Sequence, residues 1–234
     1  MLVAVTGGLG VYMKTVAFVP IKLNNERLPG KNIKQFGDGT PLINVVLKKL
    51  VQLKEDKTVD EIYVYCSDEA IIPYLPEGVQ FLQRPKFLDE KTTKGRLIYE
   101  EFVKTIEADV YLLEHVTTPL VTVEHIKDCV DHVKSGEYES AFTAKKMQTF
   151  FWKGGKPLNF DLYNPPRTQD MEPFYIETTS TFVFNRESFM RNHSRTSENP
   201  YMCEVEEIEA VDIDYAEDFE IANAIYMNQL KKGN

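Results

Sequence analysis

The chain has 234 residues, 43% of them hydrophobic and 27% charged, with a formal net charge of −9. A chain of that length buries a substantial core without disulfide or metal staples, so one main domain is expected. The acidic balance argues against nonspecific nucleic-acid binding, and no apolar run reaches the roughly 18–20 residues of a membrane span.

The run Thr6-Gly7-Gly8-Leu9-Gly10 has glycines spaced like the start of a dinucleotide-binding loop. Such a loop must open a helix, whose first amides face a pyrophosphate. An apolar strand begins a few residues later and leaves no room for that helix, so the fingerprint is rejected. Residues 1–13 lack the early basic residues of a secretory signal and are read as an N-terminal extension, with Met13 as a natural start. Residues 15–20 read as a buried strand. Residues 41–54 read as a helix with Ile43, Val46, Leu47, Leu50 and Val51 on one face. Further strands are expected at 61–66, 79–82, 110–113 and 139–143, alternating with helices at 68–74, 95–106 and 123–133. That alternation predicts a three-layer α/β/α fold around a mostly parallel central sheet.

The pattern changes after residue 144. Residues 147–155 are aromatic and fit a hairpin, and 156–173 are proline-rich with little periodicity. A strand at 175–185, an acidic stretch at 204–214 and a last helix at 217–230 complete the chain. Residues 14–234 are therefore read as one domain with a small insertion near 145–176. Cys66, Cys129 and Cys203 match no metal spacing. Their odd number points to a reducing, cytoplasmic compartment and to buried, inert thiols.

Ligands of parallel α/β sheets lie beyond the carboxyl ends of the strands. Three segments follow such ends: residues 20–32, residues 114–119 and the acidic run closing at Asp214. The first places Lys22, Arg27 and Lys31 within ten residues of one loop, with the turn signal Pro29-Gly30 between them. Arginine can bind two phosphate oxygens through its fork and lysine acts as a point charge, so the loop suits a polyphosphate. The plainer reading is a solvated basic loop. In the third segment, Asp212 and Asp214 stand at i and i+2, so on extended backbone both face one side. Two carboxylates with phosphate oxygens and water suit Mg2+. The plainer reading here is a capping box from Asp214 to Glu217 for the last helix.

Arg27-Leu28-Pro29-Gly30-Lys31-Asn32 resembles the signature loop of the acylneuraminate cytidylyltransferases, the CMP-sialic acid synthetases, which are related to the CMP-Kdo synthetases. Lys22 stands where that family usually has Arg, and Glu26 where many members carry Lys. The resemblance continues loosely to about residue 227. It includes Arg84-Pro85, the loop His115-Val116-Thr117-Thr118-Pro119-Leu120, the strand Ile176-Glu177-Thr178-Thr179-Ser180-Thr181, and Val211-Asp212-Ile213-Asp214. The usual Asp-Thr after the Arg-Pro pair is replaced by the run Lys91-Thr92-Thr93-Lys94-Gly95.

The resemblance implies a Rossmann-like fold of the nucleotide-diphospho-sugar transferase type. It also implies transfer of CMP from CTP to an acidic sugar. Lys22, Arg27 and Lys31 would act on the triphosphate, with Asn24, Asn32 and Arg84 holding the nucleotide. His115, Thr117, Glu177 and Thr179 would line the acceptor site, and Asp212 and Asp214 would hold Mg2+. A homodimer is implied, the insertion reaching a neighbour. Other readings are transfer to Kdo or a polyol phosphate, a sugar-nucleotide glycosyltransferase, and a noncatalytic nucleotide-binding protein.

Overall fold

The computed structural model describes residues 12–233, so the glycine run at 6–10 lies outside the described residues. In the first strand, β1 (Thr15–Ile21), successive side chains serve two different cores. Ala17, Val19 and Ile21 pack with Ile43, Val46 and Leu47 of helix α1 (Leu42–Glu55) and with Ile126 and Val130 of helix α3 (Val123–Lys134). Val16 and Phe18 face the other way, toward Tyr99, Phe102 and Val103 of helix α2 (Gly95–Thr105) and Phe189 of the short helix α4 (Arg186–Asn192). The period-2 alternation of a fully buried strand thus sorts the helices to the two faces of the sheet, giving three layers. Burying each such Leu or Phe side chain contributes roughly 1.5–3 kcal/mol.

The sheet runs β3-β2-β1-β4-β8-β5-β9. It comprises β2 (Glu61–Cys66), β3 (Val79–Gln83), β4 (Val110–Glu114), β5 (Ser140–Met147), β8 (Phe174–Asn185) and β9 (Tyr201–Val205) beside β1. Every neighbouring pair is parallel except those made by β8, which is antiparallel to β4 and to β5. The carboxyl ends of β1, β2, β3, β4, β5 and β9 therefore share one edge. The segments singled out in the sequence emerge there.

The expected elements are present with small shifts at their ends. The segment at 69–74 is a 3-10 turn, since Pro73 cannot donate to a continuing helix; Asp68 caps it by accepting from the amide of Ala70 at 3.0 Å. Residues 144–147 pair with 174–177, so the excursion proper spans 148–173. It holds the expected hairpin, β6 (Trp152–Lys153) and β7 (Lys156–Pro157), closed at Gly154 and Gly155. Helix α4 was not expected: seven residues are too few to show a period, and the cap, Asn185 accepting from Ser188 N at 2.7 Å, is its main signature. The final helix, α5 (Ala216–Gly233), starts one residue early. No helix among the described residues is long and apolar enough to cross a membrane. The three cysteines are buried and unpaired.

Candidate active site

The basic loop owes its shape to two residues. Gly30 has φ 68, a left-handed conformation that side chains disfavour, and the Lys31 and Ile33 amides close turns onto Leu28 and Gly30. Asn32 is buried, and its amide donates to the Lys22 carbonyl at 2.7 Å, drawing the two ends of the loop together. The side chain expected to hold nucleotide thus holds the loop. Lys22, Arg27 and Lys31 line one cavity of about 340 Å³, together with Asn25, Glu26, Leu28 and Lys91.

From the far end of the sequence, the acidic segment reaches two of the residues that line this cavity, Arg27 and Lys31. Ile213 is fully buried against Phe36, Leu42, Phe219 and Ala222. Its amide donates to the Thr117 carbonyl at 2.8 Å. An apolar anchor at the middle position turns its two neighbours, Asp212 and Asp214, away from that cluster. Phe36, three residues beyond the turn that follows the basic loop, belongs to the same cluster and stacks on Phe219. One hydrophobic knot therefore ties the loop to the acidic segment.

The contact is direct. Arg27 Nη1 donates to Asp214 Oδ2 at 2.5 Å, and Lys31 Nζ stands 3.6 Å from Asp214 Oδ1 while donating to the Ile213 carbonyl at 2.5 Å. Lys31 is nearly buried, and that burial lowers its pKa, partly offset by Asp214 and Asp212. Asp214 does not cap α5. Asp218, in the first turn of the helix, instead reaches back, and its Oδ2 accepts from the amides of Asp214 and Tyr215 at 3.0 and 2.8 Å.

Asp212 has no ion-pair partner among the described residues. Desolvation raises its pKa, the Thr117 hydroxyl opposes that, and the charge of Asp214 adds to it. Among the described residues no cluster of three or more His, Cys, Asp or Glu side chains surrounds a cation position. The donor set still fits Mg2+, which binds proteins through one or two carboxylates and completes its shell with water and phosphate oxygens. Asp212 offers a free hard oxygen donor, and Asp214 offers one shared with Arg27.

A second cavity of about 240 Å³ adjoins the first, sharing Lys22 and Lys91 with it, and is lined also by Arg84, Thr93, Tyr99 and His115. Arg84 is buried and pairs with Asp89, and its Nε finds no partner. Asn24 instead lines a third cavity of about 650 Å³ with Ser67, Asp68, Gln83 and Lys86. His115 stands in a chain of hydrogen bonds: Arg195 Nη1 donates to Tyr99 Oη at 3.1 Å, Tyr99 Oη lies 3.2 Å from His115 Nε2, and His115 Nδ1 lies 2.6 Å from the Thr179 carbonyl. The carbonyl can only accept, so Nδ1 carries the proton and Nε2 accepts from the phenol. Burial, with the Arg195 charge, pulls the His115 pKa down to about 4. Glu177 is bound by Arg195 at 2.8 Å, and the Arg195 guanidinium lies 3.5 Å over the Phe182 ring.

The loop and acidic pair thus come together, and Thr117 supports the latter through its backbone carbonyl and its hydroxyl. His115, Thr179 and Glu177 are joined in one polar chain beside them. Sequence reasoning missed Lys91, Tyr99 and Arg195. Lys91 was visible as a departure from the expected pattern, whereas Arg195 belongs to no motif.

A mostly parallel, helix-covered sheet with a cationic loop at the carboxyl edge and an acidic pair beside it defines a nucleotidyltransferase-type architecture. The cytidylyltransferase family profile matches residues 16–232, and the chain belongs to that family. It is 26% identical over 185 residues to the N-acylneuraminate cytidylyltransferase of Oncorhynchus mykiss, covering 75% of this chain and 42% of that protein. It is 22% identical over 218 residues to the enzyme of the same name from Streptococcus agalactiae serotype III, covering 88% and 52%. The chain thus spans about half the length of the curated relatives it matches. Among solved structures, a CMP:2-keto-3-deoxy-manno-octonic acid synthetase complexed with CTP superposes with a TM-score of 0.66 at 15% identity, covering 92% of this chain and 99% of that one. The 4-diphosphocytidyl-2C-methyl-D-erythritol synthase of Anaerococcus prevotii gives 0.61 at 14% identity, covering 92% and 99%. Both likenesses concern the fold.

Proposed function

We propose that this chain transfers CMP from CTP to an acidic sugar of the sialic-acid type, releasing pyrophosphate. The observation that carries the reading is the convergence of Arg27 and Lys31 on Asp214, 187 positions along the chain from Arg27. Cations lining a cavity, with a carboxylate pair in contact with them, are what a polyphosphate with a divalent ion requires. The names of the curated relatives, at low identity, support the acidic sugar.

In this reading a hydroxyl of the acceptor attacks the α-phosphorus in line, the bond to the β-phosphate breaks with its electron pair leaving on pyrophosphate, and the hydroxyl proton passes to a phosphate oxygen of that leaving group. Little covalent work falls to the protein, and positioning and charge stabilisation dominate. Lys22, Arg27 and Lys31 neutralise charge accumulating on the departing pyrophosphate. Mg2+ at Asp212 and Asp214 supplies Lewis-acid stabilisation of phosphate charge when bound. His115 is set aside as a general base, because its Nε2 lone pair is occupied by Tyr99 and its basicity is low. It orients the acceptor wall instead. A soluble homodimer, with the excursion at 148–173 reaching a second copy, belongs to the same proposal.

The test is incubation with CTP, Mg2+ and a panel of acceptors: an N-acylneuraminate, Kdo and a polyol phosphate. Pyrophosphate release with the first is expected. Release with another acceptor alone would move the substrate, and binding of CTP without turnover would replace the enzyme by a nucleotide-binding protein. Asp212→Ala and Asp214→Ala should each lower turnover at least 100-fold while the thermal transition stays cooperative. Full activity in both variants would remove the metal role.

A further inference from the structure

Lys91 occupies the boundary between the two cavities at the carboxyl edge, as Lys22 does from the opposite loop. Its Nζ lies 2.8 Å from Glu26 Oε1, and both side chains are largely exposed. An exposed pair of that kind contributes little to stability, so its geometry is free to serve a ligand. Glu26 is a carboxylate in the middle of a loop otherwise built of cations. Left uncovered, it would repel a polyphosphate. The larger cavity is lined by four cations, Lys22, Arg27, Lys31 and Lys91, and by the one carboxylate of Glu26.

We propose that Lys91 is a phosphate-binding residue of this site, paired with Glu26 until a polyphosphate enters and then transferred to it. The inference rests on the nucleotidyl-transfer reading of the cavity. In that reading the nucleotide's α-phosphate lies at the junction between the triphosphate and the acceptor. That junction is where Lys22 and Lys91 stand, so Lys91 replaces on a separate segment the positive charge that Glu26 removes from the loop. A phosphate bearing several charges outcompetes one carboxylate for a flexible, exposed ammonium group. The exchange also keeps Glu26 covered in the free protein, which limits its repulsion of an arriving anion.

The pair can act in a second, trivial way: Lys91 could merely mask Glu26. A double-mutant cycle separates the two. The measurement is calorimetric binding of CTP with Mg2+, and of inorganic tripolyphosphate, to the full chain carrying Lys91→Ala, Glu26→Gln, or both, at two salt concentrations. Lys91→Ala should weaken both ligands about tenfold and flatten the salt dependence. Glu26→Gln should tighten them several-fold. In the Glu26→Gln background Lys91→Ala should still cost about as much. If the loss vanishes in that background, Lys91 only masks Glu26 and the proposal is overturned. If wild-type protein binds both ligands and Lys91→Ala binds them equally well, Lys91 has no part, while the reading of the cavity stands. If wild-type protein binds neither at millimolar concentration, the reading of the cavity and the proposal both fall.

Discussion

His115 is held neutral by its surroundings, and the consequence is visible in stability as well as in chemistry. Its folded pKa, about 4, is depressed from an ordinary value near 6.5. Stability from this group is therefore fully present above pH 6.5. It is lost as pH falls toward 4, because the unfolded chain takes up a proton that the folded one refuses. His115→Gln keeps an amide able to bridge Tyr99 and Thr179 but cannot titrate. It should flatten the decline of the thermal midpoint between pH 6.5 and 4 relative to wild type. Parallel declines in the two proteins would show that His115 contributes nothing to that limb. Thr179 offers a second test at the same scale. It is exposed, with φ 58, a conformation that costs a β-branched residue on the order of 1 kcal/mol, and only its carbonyl is used by His115. Thr179→Asn should stabilise the protein by up to about 1 kcal/mol in urea unfolding. A loss instead would mean that the threonine side chain holds the bulge.

That bulge is a property of paired elements. Between Phe142 and Ala144 the register of β5 on β8 shifts, so residues 178–181 stand opposite Thr143 alone. Glu114, at the end of β4, fixes the displaced segment by accepting from Ser180 and Thr181 at 3.0 and 2.8 Å. Its burial raises its pKa to about 7 despite the charge of Lys49 on α1, itself lowered to about 8 by burial of its ammonium, which donates to the Pro119 and Val121 carbonyls. A carboxyl with a raised folded pKa favours the fold below its unfolded value near 4.5 and loses that benefit as pH rises through 7. Glu114→Gln, always neutral, should therefore gain stability relative to wild type between pH 5 and 7.5, by an amount of order 3 kcal/mol. Comparing the two proteins at each pH cancels the His115 contribution, and a constant difference would refute the buried-carboxylate account. None of this was legible in the sequence, where Ser180 and Thr181 stand only as part of a strand that resembles the family's acceptor-site strand. What was legible followed from period and punctuation: largely apolar strands at β1, β2 and β4, the amphipathic face of α1, and Pro29-Gly30. That Arg27 and Asp214 belong to one edge of the sheet was expected because each lies in a segment that follows a strand end; their direct ion pair was not. The Arg195 chain was not, since a lone arginine after an unpredicted short helix carries no pattern, and its role arises only when β8, α2 and the 193–200 segment meet.

At the scale of the whole molecule, the excursion between β5 and β8 is where the chain departs from a closed globule. Trp152, Leu158, Leu162, Tyr163 and, at the start of β8, Phe174, Tyr175 and Ile176 are all exposed, Tyr163 to 94%. Single exposed apolar residues are ordinary, but seven within 25 positions, from 152 to 176, are a concentration that suits a protein–protein contact. The core is complete without them: both hydrophobic clusters on the sheet are built from other residues. Burying aromatic anchors of this size against a second copy is worth several kcal/mol before the cost of association. The proposed homodimer therefore predicts that wild-type protein sediments at twice its chain mass at micromolar concentration. Trp152→Glu combined with Ile176→Glu should sediment as a monomer with an unchanged far-ultraviolet spectrum, because both side chains lie outside the core. A monomeric wild type would defeat the proposal outright. A charged variant that remains dimeric would place the contact on another face and leave this apolar surface without a partner.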